Sequence, residues 1–208
     1  SPHMRILMTI GQFRPTIGGA ERQCELLARA LTARGHLVTV LTVRPEHDVS
    51  RQEVVGDMHV ERVAYPIVHF GRARIGFGFL ALPLLAWRAW RILPRYDAVV
   101  AHQALWPALA TTLAARWRGK PVVTKLGNSG ERFDLDVLRR THWYGGFARR
   151  FLVRHIDRFI ATSVAVRHDL HRAGVPSERV LDIPNGVVVP QLQPERAPSV
   201  TLRMVFVG

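Results

Sequence analysis

Two adjacent glycines, Gly18 and Gly19, stand where an apolar stretch ends and a helix is predicted to begin. Glycine lets the backbone approach a ligand closely, and the free amides at a helix start favour anions. The pair predicts a phosphate cradle, although a plain turn between a strand and a helix fits equally well. The glycines lack the G-x-G-x-x-G spacing of dinucleotide sites, and Val43-Arg44-Pro45 places no acidic residue after the second predicted strand. Both features argue against a dehydrogenase.

Polar side chains also follow two later predicted strands. His102 comes directly after strand 98–101, at a strand end where ligands of such sheets bind, so its imidazole would contact a ligand. The alternative is a histidine that only bonds to nearby backbone. A polar loop follows strand 121–126, and its charge and backbone N–H groups suit an anion. Its candidate residues are Lys125, Asn128, Ser129, Gly130 and Glu131. The alternative for this loop is an exposed turn with a salt bridge.

Asp134-Leu135-Asp136 has the D-x-D spelling of some metal sites. We interpret this spelling as a coincidence, because Asp134 stands where the N-cap of the next helix is expected. The only cysteine, Cys24, lies on the apolar side of the first predicted helix. One cysteine forms neither an internal disulfide nor a metal cluster. We therefore expect no metal and no cofactor.

Predicted strands and helices alternate along the chain. The strands are expected at 5–10, 37–43, 58–64, 98–101, 121–126, 158–162 and 180–183. The helices are expected at 20–33, 77–93 (interrupted by Pro83), 106–117, 135–156 (broken near Gly145-Gly146) and 164–173. This alternation predicts an α/β fold with a doubly wound, mostly parallel, Rossmann-like sheet and helices on both faces. Such sheets bind ligands at the carboxyl ends of their strands.

The predicted elements also suggest how the chain is divided. Residues 1–3 are interpreted as a cloning scar, and 4–184 as the Rossmann-like domain. The Pro- and Gln-rich residues 185–200 are expected to form an interdomain linker, with Asn185 and Gly186 as its hinge. Residues 201–208 form an apolar run ending in glycine, which predicts the first strand of a second domain.

The 208 residues include 29 Lys and Arg against 16 Asp and Glu, a formal net charge of +13. Such a surface attracts polyanions, but the arginine usage of a GC-rich genome would explain the excess equally well. The sequence has neither a recognition-helix signature nor an aromatic stacking sheet. We therefore do not expect a nucleic-acid partner.

The basic residues 71–96 include five arginines, no acidic residue and several aromatic residues. An amphipathic helix of this composition suits an anionic membrane surface, and a core helix with a solvated basic edge is the alternative. The residues expected to face a membrane are Trp87, Arg88, Trp90 and Arg91. We find no signal peptide, and the longest apolar run, 75–87, is too short to span a bilayer. We expect a cytoplasmic protein, peripheral at the inner face of the cell membrane.

Five segments, in order, resemble the N-terminal half of a retaining glycosyltransferase with the two-domain GT-B fold, of the family 4 type. They are GGAER (18–22), RGHLVTVLT (34–42), YDAVVAHQ (96–103), DRFIATSVAVRHDL (157–170) and VLDIPNGV (180–187). The resemblance covers nearly the whole chain. It implies transfer of a sugar from a nucleotide-sugar donor to an acceptor hydroxyl with retention of configuration and without a metal.

The resemblance also assigns roles to several residues. Gly18 and Gly19 would approach the donor's diphosphate. His102 is the candidate catalytic residue, which would bind or position hydroxyl groups of the acceptor or the sugar. Many relatives carry a histidine facing the transferred sugar where this chain has Leu126 or Gly127, so the sugar-contacting base is not identified. The loop instead is similar to a subgroup reading K-x-x-x-S-G-E, matched here from Lys125, and its candidate residues would contact the acceptor or the sugar.

Most of the donor pocket in this family, including two glutamates eight positions apart, lies in the second domain. We therefore expect this chain alone to bind a nucleotide sugar weakly and to be inactive. The basic, aromatic segments favour a lipid-linked or polysaccharide-precursor acceptor. The alternative is a non-catalytic half-domain that binds a phosphorylated or lipid ligand.

Overall fold

The computed structural model describes residues 3–15, 18–44, 49–64, 67–70, 73–76 and 78–187. The strands in these ranges are β1 (Arg5–Thr9), β2 (Leu37–Arg44), β3 (Gln52–Val55), β4 (Met58–Ala64), β5 (Ile67–Phe70), β6 (Ala73–Gly76), β7 (Ala98–His102), β8 (Val122–Leu126), β9 (Arg158–Ala161) and β10 (Val180–Asp182). The helices are α1 (Gly19–Thr32), α2 (Gly78–Ile92), α3 (Trp106–Trp117), α4 (Asp134–Thr141), α5 (Gly145–His155) and α6 (Val164–Arg172).

Eight strands form one sheet in the order β10-β9-β8-β7-β1-β2-β4-β3. All neighbours pair in parallel except β3, which forms an antiparallel hairpin with β4. The central strand β1 pairs with β2 on one side and β7 on the other, with Ile6 opposite both Val38 and Ala98. The strand order reverses at β1, so the carboxyl end of β1 and its neighbours is where such a sheet opens a crevice.

Alternating side chains of the strands build a core on each face of the sheet. Ile6 and Met8 of β1 pack with Cys24 and Ala28 of α1. Leu7 points the other way and joins a larger cluster formed with α2 to α6. Among the described helices, α1 is alone on its face. This arrangement confirms the predicted doubly wound α/β fold.

The sequence analysis did not predict three of the strands, β3, β5 and β6. The side chains of β3 are mostly exposed at the edge of the sheet, so they carry no apolar alternation. β5 and β6 form a separate two-stranded antiparallel hairpin. Each of these two strands has only four residues, which is too short for a clear periodic pattern.

The helices differ from prediction at two places. The predicted interruption at Pro83 is wrong, because α2 continues through this residue, whose side chain is exposed. Pro83 is the sixth residue of α2, where its ring removes one backbone hydrogen bond without ending the helix. The predicted break near Gly145-Gly146 lies slightly earlier, at 142–144, and α5 begins at Gly145. The predicted linker beyond Val187 and the predicted strand 201–208 lie outside the described residues.

The corner between α4 and α5 depends on close backbone contact. A Cβ atom added at Gly145 would lie 2.3 Å from the Leu138 carbonyl oxygen and 2.7 Å from the Arg139 Cα. A Cβ atom added at Gly146 would meet nothing within 4 Å. Only the first glycine is therefore required by packing.

We predict that Gly145→Ala destabilises the protein by about 1–3 kcal/mol, because rigid backbone must move to admit the methyl group. The matched variant Gly146→Ala should be neutral or stabilising by up to about 1 kcal/mol, because alanine favours a helix interior. Urea unfolding of both variants measures the difference. Equal stability of the two would contradict the packing at this corner.

Candidate functional site

A cleft of about 340 Å³ opens at the carboxyl edge of the central strands. It is formed by the first turn of α1, the ends of β7 and β8, the loop after β8, and the segment after β10. Its lining residues are Gly19, Ala20, Arg22, Gln23, His102, Gln103, Lys125, Gly127, Asn128 and Asn185. The cleft thus brings together predicted residues from four separate stretches of sequence.

The glycine pair opens α1 as predicted. Gly18 is the N-cap residue in extended conformation, and Gly19 is the first helical residue. A Cβ atom on Gly19 would meet nothing within 4 Å, whereas one on Gly18 would lie 2.5 Å from a Glu21 carboxylate oxygen. Gly19 therefore leaves open space against the cleft, while the flexible Glu21 side chain occupies the space beside Gly18.

His102 ends β7, directly opposite Lys125 of β8 in the parallel register. Its side chain is almost fully buried, and its Nε2 atom has no hydrogen-bond partner. Burial, followed by the positive charge of Lys125, lowers the pKa of His102 from 6.5 to about 3. His102 is therefore a neutral imidazole at neutral pH, which can donate or accept one hydrogen bond to a ligand.

Lys125 supplies positive charge to the cleft. It is partly buried, and burial lowers the pKa of its ammonium from 10.5. Burial raises the pKa of Cys24 far above its ordinary value, so this thiol remains uncharged.

Gln103 is a cleft residue that the sequence analysis missed. It has a φ angle of +67°, in the left-handed region that residues other than glycine rarely adopt. Its backbone N–H donates to the Lys125 carbonyl at 2.9 Å. Strained backbone of this kind concentrates at functional sites. The available signal was its position directly after His102 at a strand end.

Asn128 lines the cleft, but its side-chain nitrogen is bound by Asp134 at 3.0 Å. Asp134 is buried and also accepts the backbone N–H of Ala104 at 3.1 Å. The prediction that Asp134 caps α4 is wrong, because Asp134 is the first helical residue and Phe133 precedes it without a side-chain cap. The carboxylate instead joins two loops of the site.

The remaining residues of the predicted loop lie outside the cleft lining. Ser129, Gly130 and Glu131 enter a short 3-10 turn over Gly130–Arg132. The N–H of Gly130 donates to Asp169 at 2.7 Å, and the guanidinium of Arg140 donates to the Glu131 carbonyl. The Gly130 amide is therefore already used within the protein.

The predicted hinge residues lie beside α1. Asn185 lines the cleft, and the Gln23 amide nitrogen donates to the Gly186 carbonyl at 3.1 Å. Arg22 and Gln23, which the sequence analysis did not single out as site residues, lie one helical turn inside α1. The cleft is consequently closed on one side by the chain leaving the sheet.

The four predicted membrane-facing residues divide into two pairs. Trp87 and Arg91 are exposed on α2, with the Arg91 guanidinium 5.2 Å from the Trp87 ring centroid. Trp90 instead packs under the Arg118 guanidinium at 3.9 Å, and Arg88 pairs with Glu61. None of the four lines the cleft. No helix in the described ranges has the length and apolar character needed to cross a bilayer.

The burial of His102 predicts a pH dependence of stability. A histidine that is neutral when folded and protonated when unfolded makes folding less favourable as pH falls below 6.5, until pH approaches 3. Between pH 7 and pH 5, His102 should account for a loss of up to about 2 kcal/mol in the free energy of unfolding.

His102→Gln should remove this part of the loss, as measured by urea unfolding at the two pH values. His59→Gln, which removes an exposed imidazole from β4, is the matched control. His102→Gln and the wild type could instead lose equal free energy of unfolding between the two pH values. That result would contradict the prediction that His102 is neutral in the folded protein.

Comparisons with known proteins agree with this fold. Anabaena HepE in complex with UDP-glucose is 22% identical with a TM-score of 0.61, over 89% of this chain and 44% of that chain. Sucrose-phosphate synthase of Thermosynechococcus elongatus is 14% identical with a TM-score of 0.61, over 88% and 48%. UDP-N-acetylglucosamine 2-epimerase of Rickettsia bellii is 14% identical with a TM-score of 0.56, over 88% and 45%.

At such identities the likeness shows the GT-B type of Rossmann-like fold, which an epimerase shares with transferases. The chain spans less than half the length of each of these three structures. No protein of curated function matches the sequence. The sequence model described as Glycosyltransferase Family 4 matches residues 17–189. Because that match covers most of the chain and the fold agrees with it, the chain belongs to glycosyltransferase family 4.

Proposed function

We propose that this chain forms the N-terminal, acceptor-side half of a retaining glycosyltransferase. The enzyme would move a sugar from a nucleotide-sugar donor to an acceptor hydroxyl. The observation that carries the proposal is the cleft where the start of α1, Lys125 and the neutral His102 meet. A helix start and an ammonium attract anions, and a neutral imidazole suits a hydroxyl group.

The diphosphate of the donor would lie between α1 and Lys125. Gly19 leaves room for it, since a Cβ atom there would point into open space. Lys125 carries the charge that an approaching phosphate needs, and its partial burial strengthens the attraction. The UDP-glucose bound to HepE supports a nucleotide sugar as the ligand class.

His102 would bind a sugar or acceptor hydroxyl through its unpartnered Nε2 atom. Its low pKa leaves no imidazolium to act as an acid at neutral pH and makes the neutral imidazole a weak base, so its contribution would be positioning. The glycosidic bond to the diphosphate would break while the acceptor oxygen bonds to the same face of the sugar. The acceptor's proton would pass to the leaving diphosphate, which balances the reaction without a metal or other cofactor.

A lipid-linked or polysaccharide-precursor acceptor fits the surface of α2. Leu80, Leu84, Trp87 and Arg91 are exposed at helical spacing and form one stripe, the α2 stripe. A cavity of about 490 Å³ beside it is lined by apolar Leu84 and Trp87 and by Arg51. Tryptophan and arginine together favour an anionic membrane interface. The proposal therefore places the enzyme in the cytoplasm, peripheral at the inner face of the membrane.

Binding of UDP tests the cleft. The chain alone should bind UDP weakly and show no transfer activity, because most donor contacts are expected in a second domain. Lys125→Ala should weaken UDP binding about ten-fold, since a charged contact is lost. NMR titration measures this, with Lys120→Ala as control because Lys120 is the only other lysine and lies outside the cleft lining. Wild-type protein that does not bind UDP, or equal effects of the two variants, would refute this site.

Vesicle binding tests the α2 stripe. Arg91→Ala should weaken binding to phosphatidylglycerol-containing vesicles about five-fold at low salt, and Trp87→Ala should weaken it further. Added salt should weaken the wild type, because screening acts on exposed charges. Co-sedimentation measures the bound fraction. Trp117→Ala removes an even more exposed tryptophan outside the stripe and serves as control. Equal binding to neutral phosphatidylcholine vesicles would count against the membrane assignment.

A further inference from the structure

Asp134 is a buried carboxylate to which the proposed transfer assigns no part. It is 1% exposed, although it belongs to a residue type that is almost never fully buried without a partner. One carboxylate oxygen accepts the N–H of Ala104, which lies in the loop after His102 and Gln103. The other accepts the side-chain nitrogen of Asn128 in the loop after β8. Asp134 therefore ties together two walls of the cleft.

This contact determines how the Asn128 amide is oriented. Both carboxylate oxygens of Asp134 accept hydrogen bonds from nitrogen, so the NH2 group of Asn128 faces Asp134. The carbonyl oxygen of the same amide is then turned away from Asp134, and Asn128 lines the cleft. Burial raises the pKa of Asp134, while the bonds from Asn128 and Ala104 act in the opposite direction.

We propose that Asp134 is a positioning residue that holds Asn128 as a hydrogen-bond acceptor for a hydroxyl of the transferred sugar. The inference rests on the proposed function of the cleft. It adds that one part of the cleft attracts negative charge and another part accepts hydrogen bonds. Lys125 presents positive charge for phosphate, whereas the Asn128 oxygen repels phosphate and selects a hydroxyl donor. Lys125 would thus bind the diphosphate of a nucleotide sugar, and Asn128 would bind its sugar.

Asp134→Asn should reverse the orientation of the Asn128 amide, because the substitution changes the hydrogen-bonding groups at position 134 but hardly changes the shape of the side chain. The new amide oxygen can still accept the Ala104 N–H, but the new NH2 group meets the NH2 group of Asn128. The Asn128 amide must then rotate and turn its NH2 group to the cleft. The hydroxyl acceptor is lost, while Lys125 and the start of α1 remain in place.

The double variant Asp134→Asn with Asn128→Asp should restore the arrangement. The amide at 134 donates to the carboxylate at 128 and accepts from Ala104, as the wild-type pair does in reverse. The second oxygen of the carboxylate at 128 then faces the cleft as an acceptor. A residue needed only for folding would show no such rescue.

The experiment measures the ratio of affinities for UDP-glucose and UDP by calorimetric or NMR titration of the 208-residue chain. Wild-type protein should prefer UDP-glucose. Asp134→Asn should reduce that preference about three- to ten-fold, as expected for one hydrogen bond, with UDP affinity unchanged within two-fold. The double variant should recover the preference.

Asp169→Asn is the matched control, because Asp169 is another buried carboxylate that binds a backbone N–H outside the cleft lining. Thermal unfolding of each variant confirms that it is folded. An unchanged ratio in Asp134→Asn, equal losses for both ligands, no recovery in the double variant, or no preference in the wild type would overturn the inference. Failure of the wild type to bind UDP at all would instead refute the proposed function, and this inference with it.

Discussion

The parallel pairing of β1 with two neighbours on opposite sides is the constraint on which the site depends. β1 is hydrogen-bonded to β2 through Leu37–Leu41 and to β7 through Ala98–Ala101. The chain therefore leaves β1 on one face through α1 and returns on the other through α2. The connecting loops leave in opposite directions where β1 ends. This divergence of the backbone opens the crevice by itself, so no side chain has to be small for it to form. α1 begins at that point, so its free backbone amides face the same opening.

Electrostatics within the cleft follow from the register of two strands. His102 and Lys125 are opposite each other on β7 and β8, so the imidazole is buried next to a cation. Both effects oppose protonation of His102. The parallel register of β7 and β8 therefore places a neutral imidazole beside an ammonium group at one edge of the sheet.

The sequence predicted the buried strands and most helices because each carries a strong apolar pattern. The edge strand β3 has mostly exposed side chains, so its sequence lacks the alternation of apolar and polar residues that predicts a half-buried strand. Gly19, His102, Lys125 and Asn128 were predicted and meet in the cleft, because strand ends of a parallel sheet lie along one edge. The roles of Gln103 and Asp134 depend on backbone strain and on contacts between loops. Local sequence does not encode these long-range contacts.

The hydrogen bond between Gln23 and Gly186 joins the first turn of α1 to the chain that leaves the sheet. A movement of the Gly186 carbonyl must either break this bond or pull on the Gln23 side chain. A ligand that displaced this part of α1 would act on the same bond from the helix side. Coupling through such a contact acts equally in both directions.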